Sequence, residues 1–119
     1  MPHLVINRQP VEAEAGTTLL QLARELGIEI PTLCHWDGIP PMNSCMLCVV
    51  RDARSGQLVP ACSTAVQEGM EIETDSGDVS AARKHVLELI VSEHLGDCEG
   101  PCSQTCPASM NIPQMMRQV

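Results

Sequence analysis

Four cysteines, Cys34, Cys45, Cys48 and Cys62, stand in the spacing C-x10-C-x2-C-x13-C. Soft thiolates are the usual ligands of iron–sulfur clusters, and four of them commonly complete one site. The short gap between Cys45 and Cys48 lets two sulfurs face one metal centre. The long stretch between Cys34 and Cys45 is free to wrap a buried cofactor, bringing backbone amides close to the sulfurs. Zinc and disulfides also use clustered cysteines. A zinc site usually joins two short-gap ligand pairs, and only Cys45 and Cys48 form such a pair here. An odd total of seven cysteines leaves at least one thiol outside a fully disulfide-bonded scheme. The pattern therefore favours an iron–sulfur site.

A second set follows later in the chain: His94, Cys98, Cys102 and Cys106, spaced H-x3-C-x3-C-x3-C. These are again metal-ligand types. A histidine near the end of a helix also has a plainer reason to be there, because the helix dipole favours it.

The first set needs a scaffold, and the residues around it supply one. Residues 4–6 and 11–13 read as strands around a turn containing Asn7 and Pro10. Thr18 and Gln21 have capping-box spacing, Leu19, Leu22, Ala23 and Leu26 fall on one helical stripe, and Gly27 suits a left-handed stop. Pro31, Gly38, Pro40 and Pro41 then break the pattern into an irregular loop. Residues 47–51 and 57–61 flank a turn at 52–56, and residues 70–74 alternate as a half-buried strand. A second helix is expected over 77–94, capped by Ser76, with Val79, Ala82, Val86, Leu89 and Ile90 as its apolar stripe. Mixed strands packed on one helix give an α+β domain. The expected organisation is residues 1–76 as the cluster domain, 77–94 as a connecting helix, and 94–119 as a His/Cys-rich segment that begins a further helical element at its end.

Composition narrows the function. The chain has 119 residues, 44% of them hydrophobic, yet Trp36 is its only aromatic residue. A core of aliphatic side chains alone is thin, and thin cores often rely on a metal or covalent staple. Fifteen acidic residues against seven basic ones give a net charge of −8. That excludes the basic stripe on which nucleic-acid binding depends and suits docking to basic partner faces. No secretory leader or membrane-spanning run is evident, so the expected compartment is cytoplasmic, with no direct membrane insertion. Phosphate-cradling glycine loops, dinucleotide fingerprints and nucleophile–base motifs are also missing. His35 and Trp36 follow Cys34 as candidate shields of the cofactor. His3 and His85 have no partner pattern, and Met115 and Met116 suit packing or a partner interface.

The segments IPTLCHWDGIPPMNSCMLCVV and VPACSTAV resemble the N-terminal [2Fe-2S] domain of the large iron–sulfur subunit of NADH:quinone oxidoreductase. The module also occurs in related NAD-linked hydrogenases and formate dehydrogenases. The resemblance covers roughly residues 3–94 and implies a β-grasp ferredoxin-like fold. It also implies a [2Fe-2S] cluster on Cys34, Cys45, Cys48 and Cys62. In that family a His-plus-three-Cys [4Fe-4S] site lies just beyond the β-grasp domain, and His94-x3-Cys98 agrees with it. The later gaps depart from that pattern. The stretch CEGPCSQTCPASMNIP is similar to the start of the two-cluster domain of glutamate synthase small subunits and dihydropyrimidine dehydrogenases. On that likeness Cys106 serves a second cluster whose other ligands lie elsewhere. A Cys-rich tail with free or zinc-bound thiols is the third reading.

The implied function is a single-electron relay between flavin- or NAD(P)-binding and other iron–sulfur subunits of an oxidoreductase complex. One alternative is an N-terminal piece of a flavin- and NAD(P)-dependent oxidoreductase with its catalytic domains downstream. Another is an iron–sulfur redox sensor.

Overall fold

The computed structural model describes residues 1–94 and 100–119. It begins with a hairpin of β1 (His3–Ile6) and β2 (Gln9–Glu12). Asn7 and Arg8 turn the chain with φ of 49° and 70°, the two left-handed residues of a type I′ turn. Pro10, expected in the turn, lies inside β2 opposite Val5. In a hairpin closed by the Ile6–Gln9 pair, Val5 and Pro10 form the non-hydrogen-bonded pair that follows. The missing N–H of Pro10 would have pointed away from β1, and among the described residues β2 has no other neighbour.

Helix α1 (Leu19–Glu25) has the expected capping box. Thr18 Oγ1 accepts from Gln21 N at 3.2 Å, and Thr18 N donates to Gln21 Oε1 at 3.0 Å. It ends as anticipated: Gly27, at φ 71°, donates to Arg24 O, and Ile28 N donates to Ala23 O at 2.8 Å. That pair of bonds is a Schellman stop.

Strands β3 (Val49–Asp52), β4 (Gln57–Pro60) and β5 (Glu71–Glu73) complete a five-stranded sheet in the order β2-β1-β5-β3-β4. β1 and β5 run parallel, and the other pairs run antiparallel. This is the α+β, β-grasp ferredoxin-like arrangement. Asn7 fastens its central joint: its Nδ2 donates to Thr74 Oγ1 at 2.7 Å, and Thr74 N donates to its Oδ1 at 3.0 Å.

Leu4, Ile6, Leu19, Leu20, Leu22, Val50 and Ile72 meet in one core, together with Cys48 and Cys62. The core contains no aromatic side chain, so its cohesion depends on close aliphatic packing. Helix α2 (Gly77–Ser92) is capped by Ser76, whose Oγ accepts from Val79 N at 3.3 Å. Val79 is fully buried, but the expected stripe does not stay covered: Leu89 is 54% exposed, and Leu87 and Val91 also face outward. The sheet supports only the first turns of this helix. Two short helices follow in the C-terminal segment, α3 (Pro101–Thr105) and α4 (Ile112–Arg117). Among the described residues, no helix is long and apolar enough to cross a membrane.

Candidate metal centre

Residues 31–46 form the irregular loop, fixed at each end by a core side chain, Ile30 and Leu47. Three left-handed positions bend it: Gly38 (φ 86°), Asn43 (φ 52°) and Met46 (φ 57°). Glycine takes such a conformation freely, whereas a residue such as Met46 gives up roughly 1–2 kcal/mol. At Met46 the bend turns the amide of Leu47 back onto Cys45 Sγ, 3.4 Å away. The amide of Cys34 reaches the same sulfur from the other side at 3.5 Å. Two backbone donors aimed at one sulfur suit a thiolate, because each N–H offsets part of its negative charge.

Cys48 and Cys62 are buried, while Cys34 and Cys45 are half-buried. Cys48 immediately precedes β3 and Cys62 follows β4. The ladder between these strands extends to Ala61 N, which donates to Cys48 O at 3.1 Å. The sheet therefore fixes one pair of thiols and the loop carries the other. A salt bridge straps the loop to α1, with Arg24 Nη1 and Asp37 Oδ1 2.8 Å apart. His35 Nε2 lies 3.2 Å from the same carboxylate oxygen. The Arg24 contact, with His35 adding to it, lowers the Asp37 carboxyl from its ordinary value.

Neighbouring sulfurs act on Cys62. The Cys62 thiol is pushed up to about 12, first by burial and then by its hydrogen bond with Cys48; the charges of Cys48, Cys34 and Cys45 add to the shift. Cys34 is lowered to about 7, chiefly by the backbone of Cys45 and the side chain of Ser44. A thiol that burial and neighbouring sulfurs hold protonated is well matched to a polycationic centre, which replaces its proton. Among the described residues, no three His, Cys, Asp or Glu side chains form a site for a single ion. A dinuclear cluster makes a different demand, since its four thiolates are shared between two irons. Buried sulfurs, amides aimed at Cys45 and the soft donor set fit a [2Fe-2S] cluster.

Members of the second set are spread along the chain. His94 is exposed just beyond α2, Cys102 is exposed in α3, and Cys106 is half-buried at the end of α3. Backbone donors from Met110, Ala108 and Ser109 lower the Cys106 thiol. Cys98 lies outside the described residues.

Four contributors were not singled out by the sequence pattern. Asn43 Oδ1 accepts from Cys62 Sγ at 3.4 Å, and Ser44 acts on Cys34. Arg24 and Asp37 tie the loop to α1. An i-to-i+13 contact from a helix to a loop leaves no periodic trace in a sequence. Of the two candidate shields, the His35 side chain is 14% exposed and packs inward, whereas Trp36 is 73% exposed. Leu33, Trp36, Ile39 and Met42 together give the loop an apolar outer surface.

Residues 3–77 match the family described as the 2Fe-2S iron-sulfur cluster binding domain. The chain is 39% identical over 98 residues to an NADH-quinone oxidoreductase subunit of Rhizobium meliloti (strain 1021), covering 82% of this chain and 12% of that protein. It is 37% identical over 100 residues to an NADP-reducing hydrogenase subunit of Solidesulfovibrio fructosivorans, covering 80% of this chain and 17% of the relative. Similarity also extends to the mitochondrial NADH-ubiquinone oxidoreductase 78 kDa subunit of Candida albicans, at 33% identity over 80% of this chain and 13% of that one. The chain thus spans 12–17% of the length of these curated relatives. A crystal structure of an NAD+-reducing [NiFe]-hydrogenase in the H2-reduced state superposes with a TM-score of 0.69 at 25% identity. That likeness covers 86% of this chain and 44% of the other.

Proposed function

The chain belongs to the 2Fe-2S iron-sulfur cluster binding domain family, and from that premise we propose that Cys34, Cys45, Cys48 and Cys62 hold its cluster in a single-electron relay. When bound, the cluster supplies a site that takes up and gives back one electron. The chain's own residues set the conditions for it. Cys48 and Cys62 are held by the sheet, the amides of Cys34 and Leu47 face Cys45, and His35 closes the inner side of the loop. The observation that carries this reading is the pair of backbone amides converging on Cys45 Sγ, at 3.5 and 3.4 Å, beside the buried thiols.

In this proposal the electrons pass between a flavin- or NAD(P)-binding partner and another iron–sulfur subunit of an oxidoreductase complex in the cytoplasm. The names of the relatives, and the small fraction of each that the chain spans, support the assignment to a larger assembly. The apolar loop surface around Trp36 provides a contact face close to the thiols. Residues 1–76 form the cluster domain, 77–94 connect, and 94–119 carry His94, Cys98, Cys102 and Cys106 as ligands of a [4Fe-4S] cluster. The donor types of that segment support a second cluster.

Electron paramagnetic resonance on anaerobically purified, dithionite-reduced protein tests both sites. A slowly relaxing signal that persists on warming, with a fast-relaxing one seen only when very cold, is the expected result. The slow signal alone would remove the second cluster. Zinc in place of iron, with neither signal, would overturn the relay.

A further inference from the structure

Arg83 projects from α2 towards the start of β3, and its Nη2 donates to Val49 O at 3.0 Å. Val49 is the residue directly after Cys48. The Nε of Arg83 is buried and has no hydrogen-bond partner among the described residues. A guanidinium carries five N–H donors in a fixed fork, so burying one without an acceptor costs stability. Among the described residues Arg83 makes no salt bridge. Lys84 and His85, next to it on α2, are exposed. Arg83 is the one basic residue that this helix turns into the protein.

We propose that Arg83 tunes the relay, its half-buried positive charge beside the Cys48 segment making the cluster easier to reduce. Reduction brings in one electron from an external donor; no bond breaks and no proton moves. The bound site becomes more negative by one charge, and a fixed cation in a poorly solvated place stabilises that added charge more than it stabilises the oxidised state. Burial lowers the guanidinium's own pKa, while the charges of Asp75 and Cys48 oppose the shift, so both groups lie within its field. Asp75 acts against this effect, so the measured shift is the net of the two charges. Because α2 holds the guanidinium, any partner that shifts α2 would also shift the potential.

This inference rests on the cluster assignment above, and the test separates the two. Arg83→Gln and Arg83→Lys, each loaded with iron and sulfide, are titrated potentiometrically by paramagnetic resonance, with thermal unfolding measured alongside. Arg83→Gln is expected to shift the oxidised-to-reduced equilibrium about tenfold towards the oxidised form, a fall of about 59 mV for a one-electron couple. Arg83→Lys, which keeps the charge, should restore most of that difference. An unchanged potential in Arg83→Gln, or equal shifts in both variants, would overturn the proposal. If Arg83→Gln does not fold, the unsubstituted protein decides: the Arg83 Nε–H resonance must change on one-electron reduction, and an unaffected resonance overturns the idea. Absence of a [2Fe-2S] signal in the unsubstituted protein would sink the cluster assignment as well.

Discussion

Replacing Asn7 tests how the two halves of the sheet are joined. Asn7 does two things: it occupies a left-handed position at φ 49°, and its side chain makes both hydrogen bonds to Thr74, which is 3% exposed. Substitution by glycine keeps the backbone comfortable but strips Thr74 of both partners. Two hydrogen bonds at a net 0.5–1.5 kcal/mol each predict a loss of about 2 kcal/mol. Alanine loses the same bonds and also puts a Cβ into the left-handed region, adding about 1 kcal/mol after allowing for glycine's greater unfolded-state freedom. For a domain of this size, Asn7→Gly should lower Tm by roughly 8–16 °C and Asn7→Ala by several degrees more. Far-UV circular dichroism on samples of equal iron content reads these shifts. Amide exchange supplies a local check, since Thr74 N–H should lose protection in both variants and keep it in Asn7→Asp, which retains the acceptor. Equal stability of the glycine variant and the parent, or an unchanged Thr74 exchange rate, would refute the reasoning.

Three further outcomes are expected. Cys48→Ser should abolish or strongly distort the [2Fe-2S] signal and lower stability, while Cys102→Ser should leave that signal intact; spectra of both variants check this. In iron-free protein, the lowered Cys34 thiol becomes a thiolate as pH rises through about 7, whereas Cys62 stays protonated up to about 12. Iodoacetamide followed by peptide mass spectrometry at mildly alkaline pH, between the two values, should therefore label Cys34 and spare Cys62. With a net charge of −8, transfer to a basic redox partner should slow as salt rises; stopped-flow rates from low to high ionic strength measure it, and a flat profile refutes electrostatic steering.

Elements with strong local signals were legible in the sequence. Thr18, Gln21 and Gly27 marked α1 because capping is decided within a few residues. Pro10 misled because proline usually marks a turn; only the sheet order, which leaves β2 at an edge, shows why a strand tolerates it. The stripe on α2 correctly placed Val79 inside, but periodicity cannot tell how far the sheet reaches along a helix, and Leu89 emerged exposed. The four cysteines stood out from residue type and spacing, and the fold places two beside the sheet and two on the loop. Asn43, Ser44 and Arg83 were not, because a polar or charged side chain reads as solvated until the fold brings it against a sulfur or a carbonyl.

The sheet order has a consequence for assembly. Each outermost strand has four residues and carries a proline, Pro10 in β2 and Pro60 in β4. A proline withholds the donor that an incoming strand would need, and so short a strand offers little length to copy. Both borders are thereby poor templates for cross-β growth, which matters for a chain whose thin core would expose aliphatic segments after loss of iron. The same borders disfavour a neighbour that joins by adding a strand to this sheet. The exposed apolar side chains instead lie on the loop around Trp36 and on the outer turns of α2, along the polypeptide on either side of the cysteine-bearing strands.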